Sequence, residues 1–166
     1  MKKHLNHTGF TIIEVTLVLA IAGLIFLMVF IALPSLRASQ RDTSRREDVM
    51  SFISGIKKYQ SNNRGALPND WDVFRDDYLG GKDKNNFTDP TGEQYNLNVS
   101  DCQAASVDSP CEIVEDIDST TFPNNYTLYV VTQATCKGPN AVGTSNPRKV
   151  AVLYRLESAG VYCSNT

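Results

Sequence analysis

Apolar residues are concentrated in one uncharged segment near the start of the chain. Val15 to Leu33 runs for 19 residues without a charged side chain, which is long enough for an α-helix to cross the hydrocarbon core of a bilayer. A short basic leader, residues 1–9, precedes this segment, and Glu14 is the one acid at its start. A carboxylate in such a position is costly and usually has a function. The pattern predicts a transmembrane helix over residues 10–36.

The helical pattern continues beyond the apolar segment and becomes amphipathic. Apolar side chains recur at helical spacing after Ser35, namely Val49, Phe52, Ile53, Ile56 and Tyr59. This stripe predicts a second half of the helix, residues 37–64, that packs on the sheet of the same chain. The whole helix would have about 50 residues and a length of roughly 75 Å, and Gly65 suits the position after its C-terminus.

Gly23 and Pro34 are the predicted weak points of this helix. Pro34 cannot donate a hydrogen bond to the carbonyl of Phe30 and usually kinks a helix. Glycine inside a helix costs about 1 kcal/mol relative to alanine. A gentle kink between these two residues is one expectation.

Residues 65–166 have the pattern of a small globular β domain. Trp71, Phe74 and Tyr78 are three and four residues apart, which predicts a short helix that ends before Gly80. β-Branched and aromatic residues predict strands at residues 95–99, 126–135, 149–156 and 161–163. The predicted fold class is α+β, with a long N-terminal helix packed on a small antiparallel sheet and a disulfide-bounded C-terminal region.

The four cysteines, Cys102, Cys111, Cys136 and Cys163, all follow the apolar segment. They form no C-x-x-C pair, so a zinc site is not expected, and an even number in a small exported domain favours two disulfides. Of the three possible connectivities, we favour Cys102–Cys111 with Cys136–Cys163, because each bridge then closes one contiguous segment. The second would close a loop over residues 137–148. Four buried thiols in a cytoplasmic domain are the alternative.

Charge and histidine content argue against catalysis and nucleic-acid binding. The net charge is −2, so the overall field does not attract nucleic acid. Both histidines, His4 and His7, lie in the leader. Without the leader the chain has no imidazole for base catalysis or for a metal site, and it has no phosphate-binding glycine motif. We therefore expect no enzyme, no cofactor and no metal.

A basic run follows the apolar segment. Arg37, Arg41 and Arg45 are four residues apart, with Arg46 adjacent and Asp42 between them. This arrangement predicts a solvated, self-compensating helix face in which Asp42 supports Arg46. The alternatives are that these arginines contact acidic patches of neighbouring subunits, lipid headgroups or DNA.

Residues 89–92, with the sequence DPTG, predict a turn. Asp83, Asp89 and Glu93 could supply oxygen ligands to calcium, but they do not have the spacing of an EF-hand loop. A plain turn is therefore favoured over a calcium site.

The N-terminus resembles that of a type IV prepilin. The resemblance rests on the Gly9-Phe10 junction, on Glu14 four residues after the phenylalanine, and on the long uncharged helix. It is specific over residues 1–36 and only architectural beyond them. It implies that a prepilin peptidase cuts after Gly9 and methylates the new N-terminus at Phe10. It also implies that Glu14 pairs with the α-amine of a neighbouring subunit, and that the helix between Gly23 and Pro34 can lose order in a filament.

The same resemblance implies a structural role. The chain would be a subunit of a type IV pilus that serves adhesion, surface motility or DNA uptake, and it would polymerise through its hydrophobic helix. Its partners would be other pilin subunits, the prepilin peptidase, an inner-membrane assembly platform and an assembly ATPase. The precursor would lie in the inner membrane with its globular domain outside, and the processed chain would join a surface filament.

Several alternatives stay open at this point. A pseudopilin of a type II secretion system or of a competence pseudopilus shares this N-terminus, and a membrane-anchored binding module that never polymerises would share the span. Residues 20–22 fit the cleavage rule of an ordinary signal peptide, and a plain signal anchor is a further option. The positive-inside rule opposes export, because four arginines follow the span and two lysines precede it. The cysteines and the processing signal favour a domain outside.

Overall fold

The computed structural model describes residues 9–80, 87–104, 106–111, 126–157 and 160–166. The chain divides into two compact units, residues 1–37 and 38–166. Helix α1 (Ile12–Asn62) contributes to both. Residues 1–8 of the leader lie outside the described residues, and so does Asp83, a possible calcium ligand in the sequence analysis.

The predicted apolar stripe of α1 lies in the core of the second unit. Val49, Phe52 and Ile56 are completely buried, and Tyr59 is partly buried against the same cluster. The spacing of these residues places them on one side of the helix. The prediction that this part of the helix packs on the sheet is confirmed.

The predicted short helix is α2 (Trp71–Tyr78). The Asp70 carboxylate caps its N-terminus by accepting hydrogen bonds from the backbone N–H groups of Asp72 and Val73, each at 3.0 Å. Phe74 is buried and packs edge-on against Phe52 of α1, with ring centroids 5.5 Å apart. Helix α2 thereby joins the same core as α1.

The described residues contain six strands: β1 (Asn96–Asp101), β2 (Thr127–Thr132), β3 (Ala134–Lys137), β4 (Asn140–Gly143), β5 (Val150–Arg155) and β6 (Val161–Asn165). The larger sheet has the order β1-β2-β5-β6, and β3 with β4 forms a separate hairpin. The pairings of β5 with β2 and with β6 are antiparallel. The fold is α+β, with a long helix packed on a small sheet, as predicted.

The strand pairing differs from the sequence-based expectation in two respects. β1 pairs with β2 in parallel, with Asn96 beside Thr127, whereas the pattern predicts an antiparallel sheet. The predicted strand at 126–135 is divided at Gln133, whose φ of 54° is in the left-handed region that interrupts an extended chain. The chain then enters β3, which pairs with β4. Strand β4 lies inside the segment 137–148 that the sequence predicts to be a loop.

Strand β5 separates two apolar clusters. Val150, Val152 and Tyr154 face the cluster that contains the stripe of α1. Ala151 and Leu153 belong to a second cluster on the opposite face, which includes residues of β3 and β4. The alternation of side chains along a strand explains this division, and β5 is buried on both faces for that reason.

Both disulfides have the favoured pairing. Cys102 bonds to Cys111 and Cys136 to Cys163, with Cα–Cα distances of 5.0 and 5.8 Å, and no cysteine is free. Because Cys136 lies in β3 and Cys163 in β6, the second bridge joins the hairpin to the edge strand of the larger sheet.

Candidate functional site

In the isolated chain, almost all apolar side chains described in the first unit, residues 1–37, are exposed. Leu24, Phe26 and Ile31 are 68%, 66% and 79% exposed. Helix α1 is long and apolar enough to cross a membrane, and none of its most apolar 18-residue window is buried. The core helix of a soluble protein would be largely covered by its own chain. An apolar surface of this extent instead requires lipid or another protein.

Glu14 forms a reciprocal cap with Thr11 at the start of α1. The backbone N–H and the hydroxyl of Thr11 donate to Glu14 Oε2 at 3.0 and 2.9 Å, and the Glu14 N–H donates to Thr11 Oγ1 at 3.4 Å. This is the capping-box arrangement, in which a Thr and a Glu three residues apart satisfy the free N–H groups of a helix end. The cap was not predicted, although its signature, Thr-x-x-Glu before an apolar run, is present in the sequence.

The cap uses only one of the two carboxylate oxygens of Glu14. Among the described residues, Oε1 of Glu14 has no hydrogen-bond donor. A carboxylate can accept about four hydrogen bonds over its two oxygens. Glu14 can therefore hold its own helix end and still accept a cation from outside the chain.

Packing does not explain the glycine of the Gly9-Phe10 junction. A Cβ added at Gly9 would meet no atom within 4 Å, and Phe10 is 89% exposed. Gly23, inside α1, also has no neighbour within 4 Å of an added Cβ, and α1 continues through both Gly23 and Pro34. Loss of helical order between these two residues stays a prediction about the assembled state.

Arg45 is buried, so the predicted solvated arginine face is wrong at this position. Its side chain is 1% exposed. Arg45 Nε donates to Asp89 Oδ2 and Arg45 Nη1 to Glu157 Oε1, both at 2.6 Å, while Asp42 Oδ1 is 3.4 Å from Nη1. Asp42 therefore pairs with Arg45 and not, as predicted, with Arg46. We name these four residues the Arg45 cluster.

Asp89 begins the predicted turn, and the turn is confirmed. The N–H of Gly92 donates to the Asp89 carbonyl at 2.7 Å, and the N–H and hydroxyl of Thr91 donate to Asp89 Oδ1 at 2.9 and 2.7 Å. Asp89 Oδ2 accepts from Arg45 and from the Tyr154 hydroxyl, the latter at 3.1 Å. Its carboxylate is thus occupied, and the described residues contain no group of three or more His, Cys, Asp or Glu that could hold a metal.

The pKa values of the acids in the second unit follow from these contacts. Burial alone would raise the pKa of the Asp89 carboxyl, but hydrogen bonds, above all from Arg45, outweigh it and hold that pKa below its usual range. Hydrogen bonding from Arg41 lowers the pKa of Glu157. Asp48 shifts in the opposite direction, because burial raises the pKa of its carboxyl.

In comparisons with protein-family models, with curated proteins and with solved structures, nothing matched this chain.

The Arg45 cluster gives a direct prediction about stability. Replacing Arg45 by methionine leaves the Asp89 carboxylate buried without its cation, which should lower the free energy of unfolding by about 3–5 kcal/mol. The matched control is Arg41→Met, because the pair of Arg41 with Glu157 is partly exposed and exposed pairs contribute little to stability. Urea unfolding of the full chain in detergent micelles, followed through the fluorescence of Trp71, measures both. Equal losses in the two variants would contradict the prediction.

The same acids make stability depend on pH. Asp89 and Glu157 have lowered pKa values in the folded state. Their contribution is therefore complete above their unfolded pKa values of about 4 and is lost as the pH falls through the folded values. Asp48 opposes this loss, because its raised pKa means that ionisation disfavours the folded state.

We therefore expect a lower free energy of unfolding at about pH 3 than at about pH 7. In Arg45→Met the difference should shrink, because the Asp89 carboxyl then lacks the cation that lowers its pKa. Urea unfolding of both proteins at the two pH values checks this. An unchanged pH dependence in the variant would assign the acid sensitivity to other groups.

Proposed function

We propose that this chain is a pilin-like structural subunit that is exported as a membrane precursor, processed between Gly9 and Phe10, and polymerised through the first part of α1. The observation that carries the proposal is the exposed apolar surface of that helix, preceded by a single capped acid and the Gly9-Phe10 junction. Lipid would cover this surface in the precursor, and neighbouring subunits would cover it in the filament.

The junction suits proteolytic processing. Gly9 and Phe10 precede the first residue of α1 and are exposed, so the bond between them is accessible to a protease. Among the described residues, no packing contact requires a glycine at position 9. Recognition by a prepilin peptidase would explain why a glycine occupies this position.

Glu14 suits a role in joining subunits. Processing would place a new α-amine on Phe10, and such an amine is largely cationic at neutral pH. In hydrocarbon a carboxylate gains most from a cationic partner, and the free Oε1 of Glu14 can accept one while Oε2 keeps the helix capped. Pairing of Glu14 with the amine of a neighbouring subunit would then favour the one register in which both charges are neutralised.

The second unit suits display outside the cytoplasm. Two disulfides are stable in oxidising compartments and rare in the cytosol. The proposal assigns this unit a structural role without catalysis, with other subunits, a prepilin peptidase, an assembly platform and an assembly ATPase as partners. Recovery of the chain in filaments sheared from the cell surface would distinguish a pilus from the pseudopilus alternative.

Processing can be tested first, because it does not depend on assembly. The intact mass and N-terminal sequence of the chain from native membranes should correspond to a chain that begins at methylated Phe10. A chain that keeps Met1 would show a signal anchor, and one that begins near Gly23 would show ordinary secretion. Either of these results would overturn the proposal.

The role of the Glu14 charge can be separated from its role as a cap. Glu14→Gln keeps a side chain that can complete the capping box but removes the charge, whereas Thr11→Ala weakens the cap, by about 1 kcal/mol, and keeps the charge. We expect Glu14→Gln to enter the membrane and be processed but to give at least tenfold less filament. Thr11→Ala should assemble close to the wild-type level.

Filament yield, normalised to processed chain in the membrane, is the measurement for both variants. Normal assembly of Glu14→Gln would remove the charge-pairing role. A severe loss in Thr11→Ala together with normal assembly of Glu14→Gln would assign the importance of this segment to the helix cap alone.

A further inference from the structure

The second unit contains a solvent-open cavity of about 710 Å³ beside the C-terminal end of α1. The segment that follows α1, the first residue of α2, the ends of β1 and β2 and the segment before β5 form its walls. Its volume is in the range of small-molecule sites, which combine apolar walls with a few convergent polar groups. None of its lining residues belongs to the Arg45 cluster or to the apolar first unit.

The cavity has an excess of positive charge. Arg64 and Arg148 both line it, and Asp101 is the one acidic lining residue, so two positive charges face one negative charge. The Asp101 carboxylate already accepts a hydrogen bond from the Thr132 hydroxyl. Within the described part of the chain, neither arginine forms an ion pair. Two cationic residues without an ion-pair partner among the described residues therefore line the cavity.

Hydrogen bonds hold the Arg148 backbone in place, and its guanidinium lies against Gly65. A Cβ added at Gly65 would lie 2.9 Å from Arg148 Nη1, and the φ of Gly65 is 84°, so both sterics and backbone conformation favour glycine beneath the guanidinium. The Arg148 carbonyl accepts a hydrogen bond from Gln60 Nε2 at 2.7 Å, and the Arg148 N–H donates to Asn146 Oδ1 at 3.0 Å. An arginine positioned in advance loses less entropy when it binds a ligand.

Backbone strain is concentrated at the same cavity. Arg64 and Gln133 have φ values of 56° and 54°, in the left-handed region that side chains other than glycine, asparagine and aspartate rarely adopt. Both residues line the cavity. Strain of this kind is often found at binding sites, where the surrounding fold holds it.

Trp71 gives the cavity an aromatic wall. It lines the cavity, is only partly buried, and stacks on Phe52 with ring centroids 6.3 Å apart, so its position is fixed by the core. Asn69 and Gln133, two residues with side-chain amides, also line the cavity. An amide can donate to and accept from hydroxyl groups, and an aromatic face attracts weakly polar C–H groups.

We propose that this cavity binds a carboxylated sugar. The arginines would accept the carboxylate through paired N–H groups, the indole of Trp71 would contact the C–H groups of the ring, and the amides would bind its hydroxyls. This binding is a function of the second unit, and it does not depend on assembly through α1.

The experiment is a titration of the full chain in detergent micelles with glucuronate, with glucose and with inorganic phosphate. Trp71 is the one tryptophan of the chain, so its fluorescence reports on this cavity, and calorimetry gives a second signal. Glucuronate should bind at least tenfold more tightly than glucose, because charge-assisted hydrogen bonds to the carboxylate are lost with glucose. Phosphate should bind more weakly than glucuronate, because it lacks the ring.

Two variants test the role of the arginines. One is the double variant Arg64→Gln/Arg148→Gln, and the other is the single variant Arg148→Lys. The double variant should lose the preference for glucuronate over glucose, and Arg148→Lys should weaken glucuronate binding because lysine lacks the planar fork of arginine. Arg37→Gln, at an exposed position outside the cavity, is the control for the change in charge, and circular dichroism checks that each variant is folded.

Three results would overturn the proposal. They are equal affinity for glucose and glucuronate, phosphate binding as tight as that of glucuronate, and glucuronate binding that Arg148→Lys leaves unchanged in a folded protein. Because processing and filament yield are measured separately, failure here is distinguishable from failure of the assembly role.

Discussion

The buried pairing of Arg45 with Asp89 determines how α1 can lie against the sheet in the second unit. Arg45 Nε and Asp89 Oδ2 are 2.6 Å apart, and both side chains are almost fully buried. Burying two charges is favourable only when their remaining hydrogen-bonding groups are also satisfied. Asp42 on α1, Thr91 in the turn of Asp89, and Tyr154 and Glu157 at the end of β5 do this. A rotation of the helix that moved Arg45 outward would leave Asp89 buried and unpaired, so the cluster favours one orientation.

The parts of the fold that depend on local patterns could be predicted from the sequence. The apolar stripe through Val49 and Ile56, the short helix at Trp71 and the facing of Val150 and Val152 each follow from a period of 3.6 or 2. The disulfide pairing could be predicted because bridges between cysteines close in sequence need little chain ordering. For the helices and strands, the residues that carry the signal are neighbours along one element, and each disulfide closes one contiguous segment of the chain.

What could not be predicted depends on pairing over long distances. The burial of Arg45 requires Asp89, 44 residues away, and β1 becomes parallel to β2 only through a register between separate segments. The break at Gln133 lies inside a run of strand-forming residues, and its left-handed φ follows from the two sheets that it joins. At the candidate site the acid was predicted but its cap was not, although Thr11 and Glu14 are only three residues apart. The residues themselves carry the capping signature, so the cap follows from local sequence and needs no long-range pairing.

The Arg45 cluster also changes what the basic run can do. Of the four arginines after the span, Arg45 is buried and Arg41 is bonded to Glu157, while the Arg46 guanidinium lies 5.7 Å from the centroid of the Tyr162 ring. Arg37 alone remains exposed without a contact among the described residues, which leaves little basic surface for lipid headgroups or for DNA. These contacts form only when the unit folds, so they cannot alter the arginine count that acts during membrane insertion. The proposed export of this unit against that count would require a stronger determinant of topology, which the proposed processing and assembly pathway would supply.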